Sequence, residues 1–399
     1  MGNVNILIVN RVVLLLLVLI GVRFSSAHFS YAAGLFILFF LYDIYQSHRH
    51  NENIFPALSA ANRQVCIGTI VFYGILLGDS LLLGDRNSAA ESVDMAMLSL
   101  PLFMFTFLGG KYDIRRGIRY GIIAVSIIVT MYGIYRGWLG LDKRYSSFFA
   151  HPNHFGTAIA MMVPFLSSYW WKAKESWKRW GLCVLIMAML FCLYKTGSRG
   201  AIAAFIGGCI IGIGSLLWIR RGKISAAVKK KAGIVLLLIC LLGGAAFGYL
   251  QANRSGMAKL GGERIMMLEA SYEIWQDHTW LGVGVSRWAE YYYSPEYHPA
   301  EGREMGLNMP HNMPVYFFTT AGIPGGIGYL AFLAVTWWGL WRTARRAEES
   351  WLSAAVLAAF WAFTLQGLVD TTIINKIPAR IYFALIGFYL AAEARSSIK

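Results

Sequence analysis

Gln251 to Asn312, QANRSGMAKLGGERIMMLEASYEIWQDHTWLGVGVSRWAEYYYSPEYHPAEGREMGLNMPHN, is the one long polar stretch in this 399-residue chain. Nine apolar runs precede it and three follow. A helix needs about 20 apolar residues, rising 1.5 Å each, to cross a bilayer. The predicted spans are 5–23, 29–46, 64–84, 93–109, 117–137, 153–171, 180–195, 200–219, 232–250, 313–341, 351–370 and 377–394. The sequence therefore predicts an all-α polytopic membrane protein with about twelve transmembrane helices and one large loop carrying short amphipathic helices. It divides into 1–250 with nine spans, the loop 251–312, and 313–399 with three spans. The tenth span contains Gly322, Pro324, Gly325 and Gly326, so a kink is expected there.

Composition supports the same class. The chain is 57% hydrophobic and 14% charged, where soluble domains carry about 25% charged residues. The first span is expected to remain as an uncleaved anchor, because Arg11 interrupts it and no small-residue cleavage site follows. The net charge of +15 does not indicate nucleic acid, since the basic residues sit in short clusters between spans. With the N-terminus inside, 21 of the 36 Lys and Arg fall on the inner side and 14 on the outer side. The positive-inside rule then puts both termini in the cytoplasm and the long loop outside. Cys66, Cys183, Cys192, Cys209 and Cys240 all lie in apolar spans without ligand spacing and read as small core residues.

Three short outer connections share the side of the long loop: Trp138 to Pro152, Lys195 to Gly200, and Asp370 to Lys376. Arg199 stands where the eighth span begins. A helix N-terminus beside a guanidinium suits phosphate or pyrophosphate; the competing reading is an interfacial arginine that snorkels. Arg264 opens an amphipathic pattern from Glu263 to Asp277, with Ile265, Leu268, Tyr272 and Trp275 on one stripe. Such a helix would lie on the membrane surface and hold Arg264 at headgroup depth, or Arg264 would pair with Glu263 or Glu269. His311, after Pro310, can accept a proton near neutral pH, and Asn312 could orient it or cap the next helix. A lone histidine is also a common structural residue. Trp275, Trp280, Trp288 and Tyr291 to Tyr293 suit a carbohydrate face or an interfacial belt. Gly282-Val283-Gly284 reads as a turn. No metal-binding, Walker or nucleophile motif appears, so no metal and no cofactor are expected. Asp43 and Asp79 are too few, within the spans, to suggest a proton relay.

Across roughly 135–345 the chain resembles the O-antigen ligases and the related O-antigen polymerases. The pieces that carry the likeness are Arg144 through Asn153-His154, Lys195-Thr196-Gly197-Ser198-Arg199-Gly200-Ala201, Arg264 with Trp275 and Leu281-Gly282-Val283-Gly284, and His311-Asn312 followed by Gly322-Ile323-Pro324-Gly325. The resemblance implies an inner-membrane protein with a periplasmic loop. It would transfer a glycan from undecaprenyl pyrophosphate without metal or nucleotide. Arg199 and Arg264 would hold pyrophosphate, and His311 would act on the acceptor hydroxyl. Arg144, Asn153, His154, Asn312, Trp275 and Trp288 would complete the substrate site. The protein-glycosylating members resemble this chain too, often with a further C-terminal region, and the end of this sequence after the last span points to the ligases. The implied partners are an undecaprenyl pyrophosphate-linked O-antigen donor, a lipid A-core acceptor and membrane lipids. The alternatives are a polymerase using a second lipid-linked glycan as acceptor, and a lipid-linked glycan transporter.

Overall fold

The computed structural model describes residues 6–22, 27–55, 58–222, 225–252, 257–299, 306–347 and 350–396. In chain order the helices are α1 (Ile6–Gly21), α2 (His28–Arg49), α3 (Ala60–Leu82), α4 (Arg86–Met97), α5 (Leu100–Lys111), α6 (Arg115–Trp138), α7 (Pro152–Lys172), α8 (Ser176–Lys195), α9 (Arg199–Ile219), α10 (Ala226–Ala252), α11 (Met257–Asp277), α12 (Trp288–Tyr292), α13 (Met313–Arg346), α14 (Ser350–Gln366) and α15 (Lys376–Ser396). No strand occurs among the described residues. Eight helical segments there are long and apolar enough to cross a membrane, and α1 and α14 are shorter apolar helices. Each predicted span overlaps a helix. The fourth is broken: α4 and α5 part at Leu98-Ser99. Pro101 sits in the first turn of α5 and has no N–H to continue the α4 ladder. Ser99 Oγ instead donates to Ala96 O at 2.7 Å.

Two packing devices position the outer face. The first joins α9 to α14. Gly208 and Gly212 lie one turn apart, and a methyl on either would come within 2.5–2.6 Å of the Ala358 backbone. Small residues at this spacing let two membrane helices approach closely. The helices run antiparallel, so the first turn of α9 meets the end of α14. A methyl on Gly200 would lie 2.9 Å from Gln366 Oε1 and 2.8 Å from Val369 Cγ2.

The second device is the kink in α13, found at Ala321 (φ −130°, ψ 23°) and Gly322 (φ 56°, ψ −158°). Pro324 offers no N–H to Thr320 O, so a helical turn is left short of partners. The loop supplies them. Val283 N donates to Thr319 O at 3.2 Å, Gly284 N to Thr320 O at 2.8 Å, and Ile323 N to Thr279 O at 2.9 Å. This backbone contact leaves no room for side chains. A methyl on Gly322 would sit 2.1 Å from Trp280 O, and one on Gly282 would sit 2.4 Å from the Thr320 carbonyl carbon. The glycine turn of the loop is thus latched to the helix that begins beside His311.

Candidate active site

The connection between α6 and α7 is held from below. Arg136 on α6 forms a two-pronged ion pair with Asp142, at 2.9 and 2.8 Å. Ser146 Oγ donates to the same carboxylate at 2.9 Å. The guanidinium, with the serine, keeps Asp142 below the usual carboxylate range against the opposing effect of burial. Ser147 takes a left-handed φ of 54° and ties its hydroxyl to Val129 O at 2.7 Å. The fixed segment lies across the end of α8. Tyr145 N donates to Lys195 O at 3.1 Å, and Arg144 Nε donates to Thr196 O at 2.6 Å.

Asp370, in the connection after α14, is 3% exposed. Its carboxylate collects donors from four places. His311 Nδ1 is 3.1 Å from Oδ1, and Thr371 N donates to the same oxygen at 2.8 Å. Asn153 Nδ2 donates to Oδ2 at 2.5 Å, and Gln366 Nε2 lies at 3.4 Å. Burial would raise this carboxyl, but the hydrogen bond and charge of His311 and the Thr371 N–H hold it below its ordinary value. An ionised carboxylate accepts only, so Nδ1 of His311 carries a proton, and in the neutral imidazole Nε2 is the acceptor. The His311 side chain is 31% exposed. His311 itself sits at φ 51°, a conformation uncommon outside glycine and kept only where the surroundings enforce it. They do so here. Asn312 caps α13, its Oδ1 accepting from Val315 N at 3.0 Å, while its Nδ2 donates to Leu368 O at 3.0 Å. Met313 N donates to Gly367 O at 2.7 Å.

Arg199 occupies the first helical position of α9. Ser198 Oγ caps that helix by accepting from Ala201 N at 3.3 Å, and Thr196 Oγ1 accepts from Ser198 N at 3.1 Å. Because Gly200 packs on Gln366 and Val369, the Arg199 turn abuts the connection that carries Asp370. The structure therefore gathers Arg144, Asn153, His154, His311, Asn312 and the Arg199 turn from parts of the chain far apart in sequence. Its hub, Asp370, is not set apart in the sequence from the rest of the short polar connection Asp370 to Lys376.

The loop residues sit differently. Arg264 is exposed on α11 and has no ion pair among the described residues, so the expected alternative partners Glu263 and Glu269 do not neutralise it. Met267, Ala270, Ser271 and Ile274 form the buried face of α11. Of the predicted apolar stripe, Ile265 and Tyr272 are exposed, whereas Leu268 and Trp275 are half-buried. Trp275 meets Phe318 edge-on at 6.2 Å. Trp288 is 1% exposed, stacked on Tyr292 at 4.7 Å, with Nε1 donating to Ser271 Oγ at 2.9 Å. It packs the loop against itself and presents no free face to a glycan. An apolar groove of about 720 Å³ between α3 and α13 is lined by Ile67, Val71, Ile75, Pro324 and Val335 among others. It includes none of the clustered polar residues and holds no catalytic chemistry.

Residues 184–330 match the family model described as O-antigen ligase. That stretch includes Arg199, Arg264 and His311 and excludes Arg144, Asn153 and Asp370. No curated protein matches the chain.

Proposed function

We propose, for a chain whose residues 184–330 match the O-antigen ligase family model, that it transfers O-polysaccharide from undecaprenyl pyrophosphate to a sugar hydroxyl of lipid A-core. The observation that carries this is the His311–Asp370 pair, seated against the first turn of α9 with Arg199 on it. A base and an anion site side by side are what this displacement needs. His311 Nε2 takes the proton of the acceptor hydroxyl as it attacks the anomeric carbon. The bond from that carbon to the pyrophosphate oxygen breaks, and the pair of electrons leaves on pyrophosphate. Arg199, aided by the free N–H groups of α9, and Arg264, exposed at headgroup depth, stabilise the charge that develops there. Diphosphate departs without needing a proton, so two guanidiniums can serve where other transferases use a metal. A single displacement inverts the anomeric centre. Ile265, Tyr272 and Trp280, all exposed, face lipid in this arrangement.

The arginine roles are tested by Arg199→Lys and Arg264→Lys. Lysine keeps the charge and loses the flat two-pronged fork. Each variant should insert and fold but lose transfer by roughly 10- to 100-fold, the cost of about one or two charge-assisted hydrogen bonds. A variant with wild-type turnover would reduce that arginine to a membrane anchor.

The positive-inside count supports a site facing the periplasm of the inner membrane, with both termini in the cytoplasm. Glu296 is exposed on the loop, and Cys240 is the exposed native cysteine. In a Cys240→Ser background, Glu296→Cys should react with a membrane-impermeant maleimide in intact spheroplasts. Labelling only after lysis would invert the topology and put the site on the other face.

A further inference from the structure

Asn153 is held by both ends of its amide. Its Oδ1 accepts from Arg144 Nη2 at 3.0 Å, and its Nδ2 donates to Asp370 at 2.5 Å. Asp370 in turn accepts from His311. The Arg144 contact fixes which way the amide points, because only the oxygen can face a guanidinium. The other arm of Arg144 reaches Thr196 O at 2.6 Å, and Thr196 Oγ1 accepts from the Ser198 N–H, one residue before Arg199. The approach is close: a methyl on Gly197, at φ 61°, would stand 3.3 Å from Arg144 Nε. One guanidinium thus touches the turn on which Arg199 stands and, through Asn153, the carboxylate that orients His311.

We propose that Arg144 and Asn153 are positioning residues, forming a relay that sets the charge and orientation of Asp370 and ties the base to the pyrophosphate-binding turn. The assignment rests on the transfer reaction proposed above only for its second half, the tie to donor binding. It departs from the expectation that Arg144 and Asn153 contact substrate. Among the described residues, the titratable and charged groups around His311 are Asp370, His151 and His154 at the start of α7, and Arg144 behind Asn153.

The test reads His311 directly. Diethyl pyrocarbonate modifies only neutral imidazole, so the rate of His311 modification against pH, followed by peptide mass spectrometry on purified full-length protein, needs no turnover. Asn153→Ala removes a donor from Asp370. The carboxylate then places more charge on its histidine partner, which holds its proton to higher pH. The profile should move up by about half to one pH unit. Asp370→Asn removes the charge and should move it down by about one unit. Arg144→Lys cannot span Thr196 and Asn153 together and should move it up by about half as much as Asn153→Ala. It decides the matter if Asn153→Ala does not purify as a monodisperse protein. A profile unmoved or lowered in the informative variant overturns the relay.

Binding of undecaprenyl pyrophosphate separates the two arms. Arg144→Lys should weaken it several-fold, and Asn153→Ala should leave it unchanged. Equal effects of the two would overturn the tie to the Arg199 turn. Shifted profiles in a protein that transfers no glycan would keep the relay and sink the proposed reaction. Transfer with unshifted profiles would do the reverse.

Discussion

His311→Ala should lower turnover by roughly 10²- to 10⁴-fold, the contribution of a positioned general base, while donor binding stays near wild type. The reasoning is geometric. His311 Nδ1 is committed to Asp370, the side chain is part-exposed, and the phosphate contacts are assigned to arginines on other elements. The control is His298→Ala. His298 lies in the same loop, but its Nδ1 faces the Tyr292 carbonyl at 3.2 Å and its ring packs on Tyr292 and Tyr293. Its loss should change turnover little. Single-turnover kinetics with purified lipid-linked glycan would separate the two steps. If donor binding collapsed in His311→Ala and turnover per bound donor held, the histidine would be a phosphate ligand and the base would lie elsewhere.

Asp370→Asn should be nearly as damaging, with a loss of about 10²- to 10⁴-fold in turnover. Replacing the carboxylate that orients a catalytic histidine costs on this scale because the wrong tautomer is stabilised. An asparagine at 370 can donate to Nδ1, which leaves the proton on Nε2, where it cannot act as a base. The substitution keeps the shape of the side chain, so the protein should elute as wild type in gel filtration. Turnover within about threefold of wild type would show that His311 needs no oriented tautomer, and would remove it as the base.

Much of this fold is legible in the sequence because lipid imposes length and hydropathy together. The predicted spans overlap helices, eight segments among the described residues being long and apolar enough to cross a membrane, and the kink expected near Gly322 occurs there. The Ser99–Pro101 break was hidden inside an apolar run that a helix of one piece would explain equally well. The close approach of α9 to α14 through Gly208 and Gly212 was written in spacing, yet small residues in membrane helices are common enough that spacing alone does not choose a partner. At the site, His311, Asn312 and Arg199 stood out because each marks a helix start. Asp370 did not. Its partners lie 59 and 217 residues away, and nothing local separates a buried hub from a solvated turn. Trp288 misled for the opposite reason. A run of aromatics in a polar loop looks like a binding face, but Trp288 is buried in the main hydrophobic core with Met267, Ala270 and Tyr292, and Ser271 satisfies the indole N–H there.

The central claim, metal-independent glycan transfer from a lipid pyrophosphate to lipid A-core, is tested most directly by reconstitution. Purified protein in proteoliposomes would be given undecaprenyl pyrophosphate-linked O-antigen in excess EDTA, with either lipid A-core or a second lipid-linked glycan as acceptor. The expected result is glycan on lipid A-core, equal release of undecaprenyl pyrophosphate, and no dependence on added Mg²⁺ or Mn²⁺. Extension of the second lipid-linked glycan instead would make the chain a polymerase. Product that forms only when metal is restored would contradict the two-arginine mechanism. Movement of intact donor across the bilayer, undiminished in His311→Ala and without any transfer, would show a transporter.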